Sequence, residues 1–255
     1  MAKKFFVKRD EVSNEGFRYR GLSGSRLENL TDAVFGFAIT LLVISSQVPT
    51  SYIELQASMY SFIGFIFCTM LLLGLWNNHS NFFLYYGLHD KTTKVLNALF
   101  IFMLLFYIYP LKYLFSYIGT AIYATLKRNL GDNSEALKVA WENLAAADLN
   151  VLQWKDLIIR FGLGLFLIYL ILVLMHLNAN KKADELELNI KEKYITKTFI
   201  HEYLLLMSVC VLSIFIVLIF GGRAAGYAGC AYTLIPIILP LYHKYRIRKM
   251  KKLEL

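Results

Sequence analysis

SRLENLTDAVFGFAITLLVISSQVP, residues 25 to 49, carries Arg26, Glu28, Asn29, Thr31 and Asp32 in its first third and is almost wholly apolar after that. Ser25 followed three residues later by Glu28 is a capping-box pair, which predicts a helix starting near Arg26. Pro49 ends it. A helix of about 23 residues is about 34 Å long, enough to cross the hydrocarbon core of a bilayer. Thr31 and Asp32 then lie about one and a half turns in, too deep to serve only as caps. An ionisable residue at that depth is costly unless it faces protein or water. Arg26 lies about 120° from Asp32 around the helix, so it is expected to pair with the Asp32 of a neighbouring helix or subunit rather than its own. The other reading is a carboxylate that meets headgroup water.

From Asp32 onward, Ala33, Phe37, Thr40 with Leu41, and Ile44 fall on one stripe at spacings of three and four. Its single hydroxyl suits either a back-bond to the carbonyl four residues earlier or a ring of hydroxyls around a pore.

The rest of the chain gives this helix its setting. With 57% hydrophobic and 18% charged residues over 255 positions, the chain belongs to the membrane class. Six apolar runs are long enough to cross: Leu27 to Val48, Ile53 to Trp76, Val95 to Phe115, Ile158 to Leu177, Tyr203 to Phe220 and Ala224 to Tyr242. Of 27 lysines and arginines, 20 fall on the side that holds both ends of the chain. By the positive-inside rule both termini are cytosolic, in a multi-pass protein of the cell membrane. The organisation expected is a basic N-terminal segment over 1–25, a six-helix domain over 26–243 and a basic tail over 244–255.

Basic residues placed between and beyond apolar runs set orientation, so the net charge of +9 implies no nucleic-acid partner. Membrane lipids are the expected neighbours. Cys68, Cys210 and Cys230 all lie in apolar runs without ligand spacing and are expected as packed free thiols. The outer loop, 116–157, places Leu137, Trp141, Leu144 and Val151 at helical spacing. That pattern suits a helix on the outer interface or a loop packed on its own subunit. Tyr107, Tyr109, Tyr113 and Tyr117 form an interfacial aromatic belt. GGRAAGYAG, 221 to 229, forces a tight hairpin with small residues for close helix approach.

Several chemistries are excluded. No two of the five histidines share a helical face at three or four residues, and no HExxH or GxSxG occurs, so no catalytic or metal site is expected. GYAG, 226 to 229, lacks the residues that precede a carbonyl filter. A secondary transporter stays open as the alternative, because Pro236 and Pro240 interrupt the last helix.

The first helix also resembles a known family. Arg26 and Asp32 at their spacing, followed by AITLLV (38 to 43), are similar to the first-helix signature of the prokaryotic relatives of transmembrane protein 175, the lysosomal potassium channel. WNNHSNFF (76 to 83) and LNALFIFMLLFYIYP (96 to 110) are similar to that family's second and third helices, so the resemblance covers residues 26 to 115. Leu30-Thr31-Asp32 stands where the family has Phe-Ser-Asp, and Phe37 where it has Ile or Leu.

The resemblance implies an all-α integral membrane protein, six helices per subunit, forming a homotetramer whose first helix lines a central pore. It implies a potassium-permeable channel with no cofactor beyond the permeant ion. Phe37, Leu41 and Ile44 would form the apolar constriction and Thr40 the selective hydroxyl layer. Arg26, Thr31, Asp32, Trp76 and His79 would form a supporting polar network.

Overall fold

The computed structural model describes residues 12, 13, 15–44, 48–147 and 149–252, and what they form is helical apart from connections and the N-terminal segment. Helix α1, Arg26–Ile44, opens on the expected capping box. The Ser25 amide donates to Glu28 Oε1 at 3.1 Å, and the Glu28 amide donates to Ser25 Oγ at 3.2 Å. The residues between Ile44 and Val48 lie outside the described set.

The second apolar run is broken once. Helix α2, Tyr52–Ser58, passes through a 3-10 turn at Met59–Ser61 into α3, Phe62–Tyr86. Helix α3 closes on Gly87 in the left-handed region, φ 56°, a conformation that costs glycine little. Trp76, expected near the end of this helix, therefore sits well inside it.

Helix α4, Lys91–Asn129, differs most from expectation. It runs through Pro110 and continues past Phe115, so residues 116–129 are helix and not loop. Proline removes only one donor, and the flanking turns are held by burial of Ile108, Leu111 and Leu114. At 39 residues α4 is about 58 Å long, so its distal part extends beyond a bilayer core. Helix α5, Glu135–Ala146, is N-capped by Ser134. Through Ala136, Leu137, Ala140 and Leu144 it packs on Tyr60 and Ala124 of its own chain. Val151 is not on that helix: it opens α6.

Helices α6, Val151–Lys181, and α7, Ile190–Phe220, begin earlier than their apolar runs. Capping boxes, Asn150 with Gln153 and Asn189 with Glu192, start each in its polar flank. The last segment turns at Gly221, φ 74°. It then forms α8, Ala225–Cys230, a 3-10 turn at Ala231–Leu234, and α9, Ile235–Lys252. The interruption thus precedes Pro236, and Pro240 lies within α9. Ala225 and Ala228 are buried as the small-residue pattern predicts, whereas Gly226 and Gly229 face open space. Cys68 and Cys210 are buried; Cys230 is exposed, against expectation.

Helices α3, α4, α6 and α7 make the core, with α6 and α7 in the most extensive contact. A Cβ on Gly64 would stand 1.9 Å from the Phe115 carbonyl oxygen, and one on Gly119 2.3 Å from the Gly64 amide nitrogen. This pair of glycines lets α3 and α4 cross backbone to backbone. Helix α1 lies at the edge of this core, which it joins through Phe35, Ala38 and Leu42 packed on α3 and α4. Among the described residues, five helical stretches are long and apolar enough to cross a membrane: Tyr52–Tyr86, Lys91–Asn129, Val151–Lys181, Ile190–Phe220 and Gly222–Met250. Helix α1, described over 19 residues with a polar opening, is outside that set.

Candidate functional site

The two faces of α1 differ. Thr31, Phe35, Ala38 and Leu42, at spacings of four, three and four, are buried against α3 and α4. The other face, with Asp32, Ala33, Gly36, Phe37 and Thr40, is exposed. Phe37 is 60% exposed, so a large apolar ring projects from the one side of α1 that its own chain leaves uncovered. Leu41 is half-buried at the edge of this stripe. The side chain of Ile44 lies outside the described residues. The Thr40 hydroxyl donates to the Phe37 carbonyl at 2.7 Å, one residue closer than the back-bond considered from sequence.

The polar residues expected to form one network form two. Trp76 Nε1 donates to Asp32 Oδ1 at 2.8 Å on the exposed side. On the buried side Asn97 Nδ2 donates to Thr31 Oγ1 at 3.0 Å, and Asn97 Oδ1 meets His79 Nε2. Thr31 and Asp32 are adjacent in sequence but point about 100° apart on the helix, which is why they separate. Arg26 is exposed and joins neither group, so its expected pairing with an Asp32 is not made within the chain. His79 is 1% exposed, stacked on Phe100 at 4.9 Å and tilted against Phe83 at 4.9 Å. Asn97, the centre of the buried group, was missed from sequence, although its place at the start of LNALFIF marked it as a lone amide in an apolar run.

Comparison with known proteins sets this geometry in a family. A model of the family described as the endosomal/lysosomal potassium channel TMEM175 matches residues 26–107. A potassium channel of Marivirga tractuosa is 37% identical over 246 residues, covering 94% of both chains. The chain belongs to the TMEM175 family. A solved structure of a threonine-to-alanine variant of the TMEM175 potassium channel MtTMEM175, bound to a nanobody-MBP fusion, has a TM-score of 0.76 and 34% identity. It covers 93% of this chain and 99% of that one.

The residues matched by the TMEM175 model contain Thr31, Asp32, Trp76, His79 and Asn97. A second polar centre lies outside them. Phe17, fully buried, is tilted against Tyr85 and meets Tyr86 edge-on. Arg18 and Arg20 both reach the buried Glu192 carboxylate, at 3.0 and 2.8 Å. Arg20 Nε also donates to the Leu186 carbonyl at 2.9 Å, and the Gly21 amide donates to the Leu84 carbonyl at 3.0 Å. The segment that leads into α1 is therefore clamped to the end of α3 and the start of α7. Sequence reasoning assigned its arginines only to orientation, and no spacing links residue 18 to residue 192. Among the described residues, no group of three or more His, Cys, Asp and Glu is placed to hold a metal.

Proposed function

We propose that this chain forms a potassium-permeable cation channel of the cell membrane, a homotetramer in which α1 of each subunit crosses the bilayer as a sixth helix and lines the central pore. The observation that carries it is the uncovered face of α1. Lipid would accept the Phe37 ring but not the Asp32 carboxylate and Thr40 hydroxyl exposed on the same face, whereas four such faces around an axis enclose a path. Family membership and the potassium channels among the relatives support this reading.

In this arrangement each residue has a definite task. Four Phe37 rings form an apolar constriction that gates by excluding water, and Leu41 continues the wall. The Thr40 hydrogen is given to the Phe37 carbonyl, so the hydroxyl oxygen keeps its lone pairs for a cation in the path. Asp32 is held by Trp76, and Thr31 by Asn97; both are struts that fix the rotation of α1, and the ion is not their partner. Both termini are cytosolic, and lipid surrounds the outer faces of the core helices. Arg26, free of the polar groups within its own chain, faces a neighbouring subunit.

Cysteine cross-linking tests the geometry without requiring flux. In a Cys230→Ser background, Phe37→Cys should give covalently linked dimers on oxidation in the membrane, and Ala38→Cys on the buried face should not. Absence of the Phe37→Cys product from a folded tetramer would refute an axial α1 and favour a site held within each subunit, as in a secondary transporter.

A further inference from the structure

Helix α9 continues beyond the last apolar run, and its two faces have different neighbours. One face is fastened to α7. Arg246 Nε donates to Thr198 Oγ1 at 2.9 Å and Nη2 to the Tyr194 carbonyl at 3.2 Å, with the guanidinium 3.9 Å from the centre of the Tyr194 ring. The Tyr194 hydroxyl donates back to the Arg246 carbonyl at 3.1 Å, and His243 meets Glu202 at 3.3 Å. Arg246 is thus spent on contacts within the chain.

The opposite face carries a different pattern. Ile237, Leu241, Lys244, Arg248 and Lys252, at spacings of four, three, four and four, fall within about 80° of one another around the helix, whereas Arg246 lies about 160° from Arg248. All five are exposed. The stripe changes from apolar to basic along one line, and Tyr245, also exposed, stands beside the change as aromatic side chains do at a headgroup boundary. No Asp or Glu occurs between Tyr203 and Leu253, and among the described residues Lys244, Arg248 and Lys252 enter no ion pair.

The placement of these cations selects their anion. They continue the side of α9 whose apolar part, Ile237 and Leu241, is left to lipid, and Arg248 and Lys252 follow Lys244 by about 6 and 12 Å along the axis. Long basic side chains reach along a helix to a headgroup while their stems stay on apolar surface, and a basic cluster directly beyond a membrane helix attracts acidic lipids.

We propose that this face of α9 docks on anionic phospholipid of the leaflet nearest the ends of the chain, the phosphodiester between Lys244 and Arg248 and the acyl chains along Leu241 and Ile237. The contact fixes the depth of α9 and, through Arg246, of the α7 end that it grips.

The test is native mass spectrometry of the full-length protein released from micelles that hold equal amounts of phosphatidylglycerol and phosphatidylcholine. Lipid retention needs no flux and leaves α1 untouched, so its outcome is independent of the channel reading. Each cation near an acidic surface is worth about fivefold in association. The parent should retain phosphatidylglycerol over phosphatidylcholine by about tenfold, and Lys244→Gln with Arg248→Gln should bring the two lipids near parity. The charge-keeping pair Lys244→Arg and Arg248→Lys should retain the preference. Lys127→Gln with Lys138→Gln removes the same charge at the other end of the bundle and should change nothing. Equal retention of both lipids by the parent, an unchanged preference in the Lys244→Gln and Arg248→Gln variant, or an equal loss in the Lys127→Gln and Lys138→Gln variant would each overturn the proposal.

Discussion

Trp76 donates its indole N–H to the Asp32 carboxylate across 2.8 Å, so the charge that begins the uncovered face of α1 is tied to α3. Within a bilayer the hydrophobic effect does not press helices together, and single hydrogen bonds and close packing decide how α1 is held. Trp76→Phe keeps the ring and removes the donor. It should loosen α1 by about 1 kcal/mol, seen as faster amide exchange over residues 26–40 with the exchange of α6 and α7 unchanged.

The buried group responds differently. Asn97→Ala leaves His79 Nε2 without its partner in a dry site and Thr31 Oγ1 with only its 3.0 Å bond to the Leu27 carbonyl, a loss of about 1–3 kcal/mol. Thermal unfolding in detergent should show it. A triple change, Thr31→Val, Asn97→Leu and His79→Phe, removes every unsatisfied atom at once and should recover much of the loss; a further fall in stability would contradict the assignment.

Glu192 holds two guanidinium groups at 3.0 and 2.8 Å with its own side chain buried. Removing one member of a buried ion pair costs about 3–5 kcal/mol, and here the value should sit near the low end because Arg18 is 42% exposed. Glu192→Ala should therefore release residues 15–24 to protease while leaving the core helices resistant. Continued protection of that segment would show that Phe17 and the hydrogen bonds to the Leu84 and Leu186 carbonyls anchor it without the ion pairs.

The crossing of α3 and α4 gives an internally controlled comparison. Gly64→Ala places a methyl 1.9 Å from a backbone oxygen, which no side-chain rotation relieves, and should cost about 3 kcal/mol or prevent folding. Gly74→Ala on the same helix meets nothing within 4 Å and should be neutral or stabilising by up to about 1 kcal/mol. Unfolding midpoints of the two variants in one detergent check both.

Much of the arrangement was legible in the sequence because its signals are local. The Ser25–Glu28 cap fixed where α1 begins, and three-and-four spacing placed Ala33, Phe37 and Thr40 on one face. Helix ends were less legible, because hydropathy reports where lipid contact stops and a helix continues for as long as its backbone is satisfied. Thus α4 runs on to Asn129, and α7 starts at the Asn189 cap. The division of Thr31 from Asp32 followed from helix geometry, yet which side each served depended on Asn97 and Trp76, brought in by other helices. The Arg18 and Arg20 contacts with Glu192, and the Gly64 and Gly119 contact, join distant parts of the chain. Neither leaves a pattern in a single sequence.

The central claim is that the exposed ring of Phe37 closes a path shared by four copies of α1. It is tested most directly by potassium and sodium flux into liposomes holding the parent or Phe37→Ala, measured side by side. Opening the constriction should raise potassium flux about tenfold, with potassium still favoured over sodium through Thr40. Potassium flux in folded Phe37→Ala no higher than in the parent would contradict it.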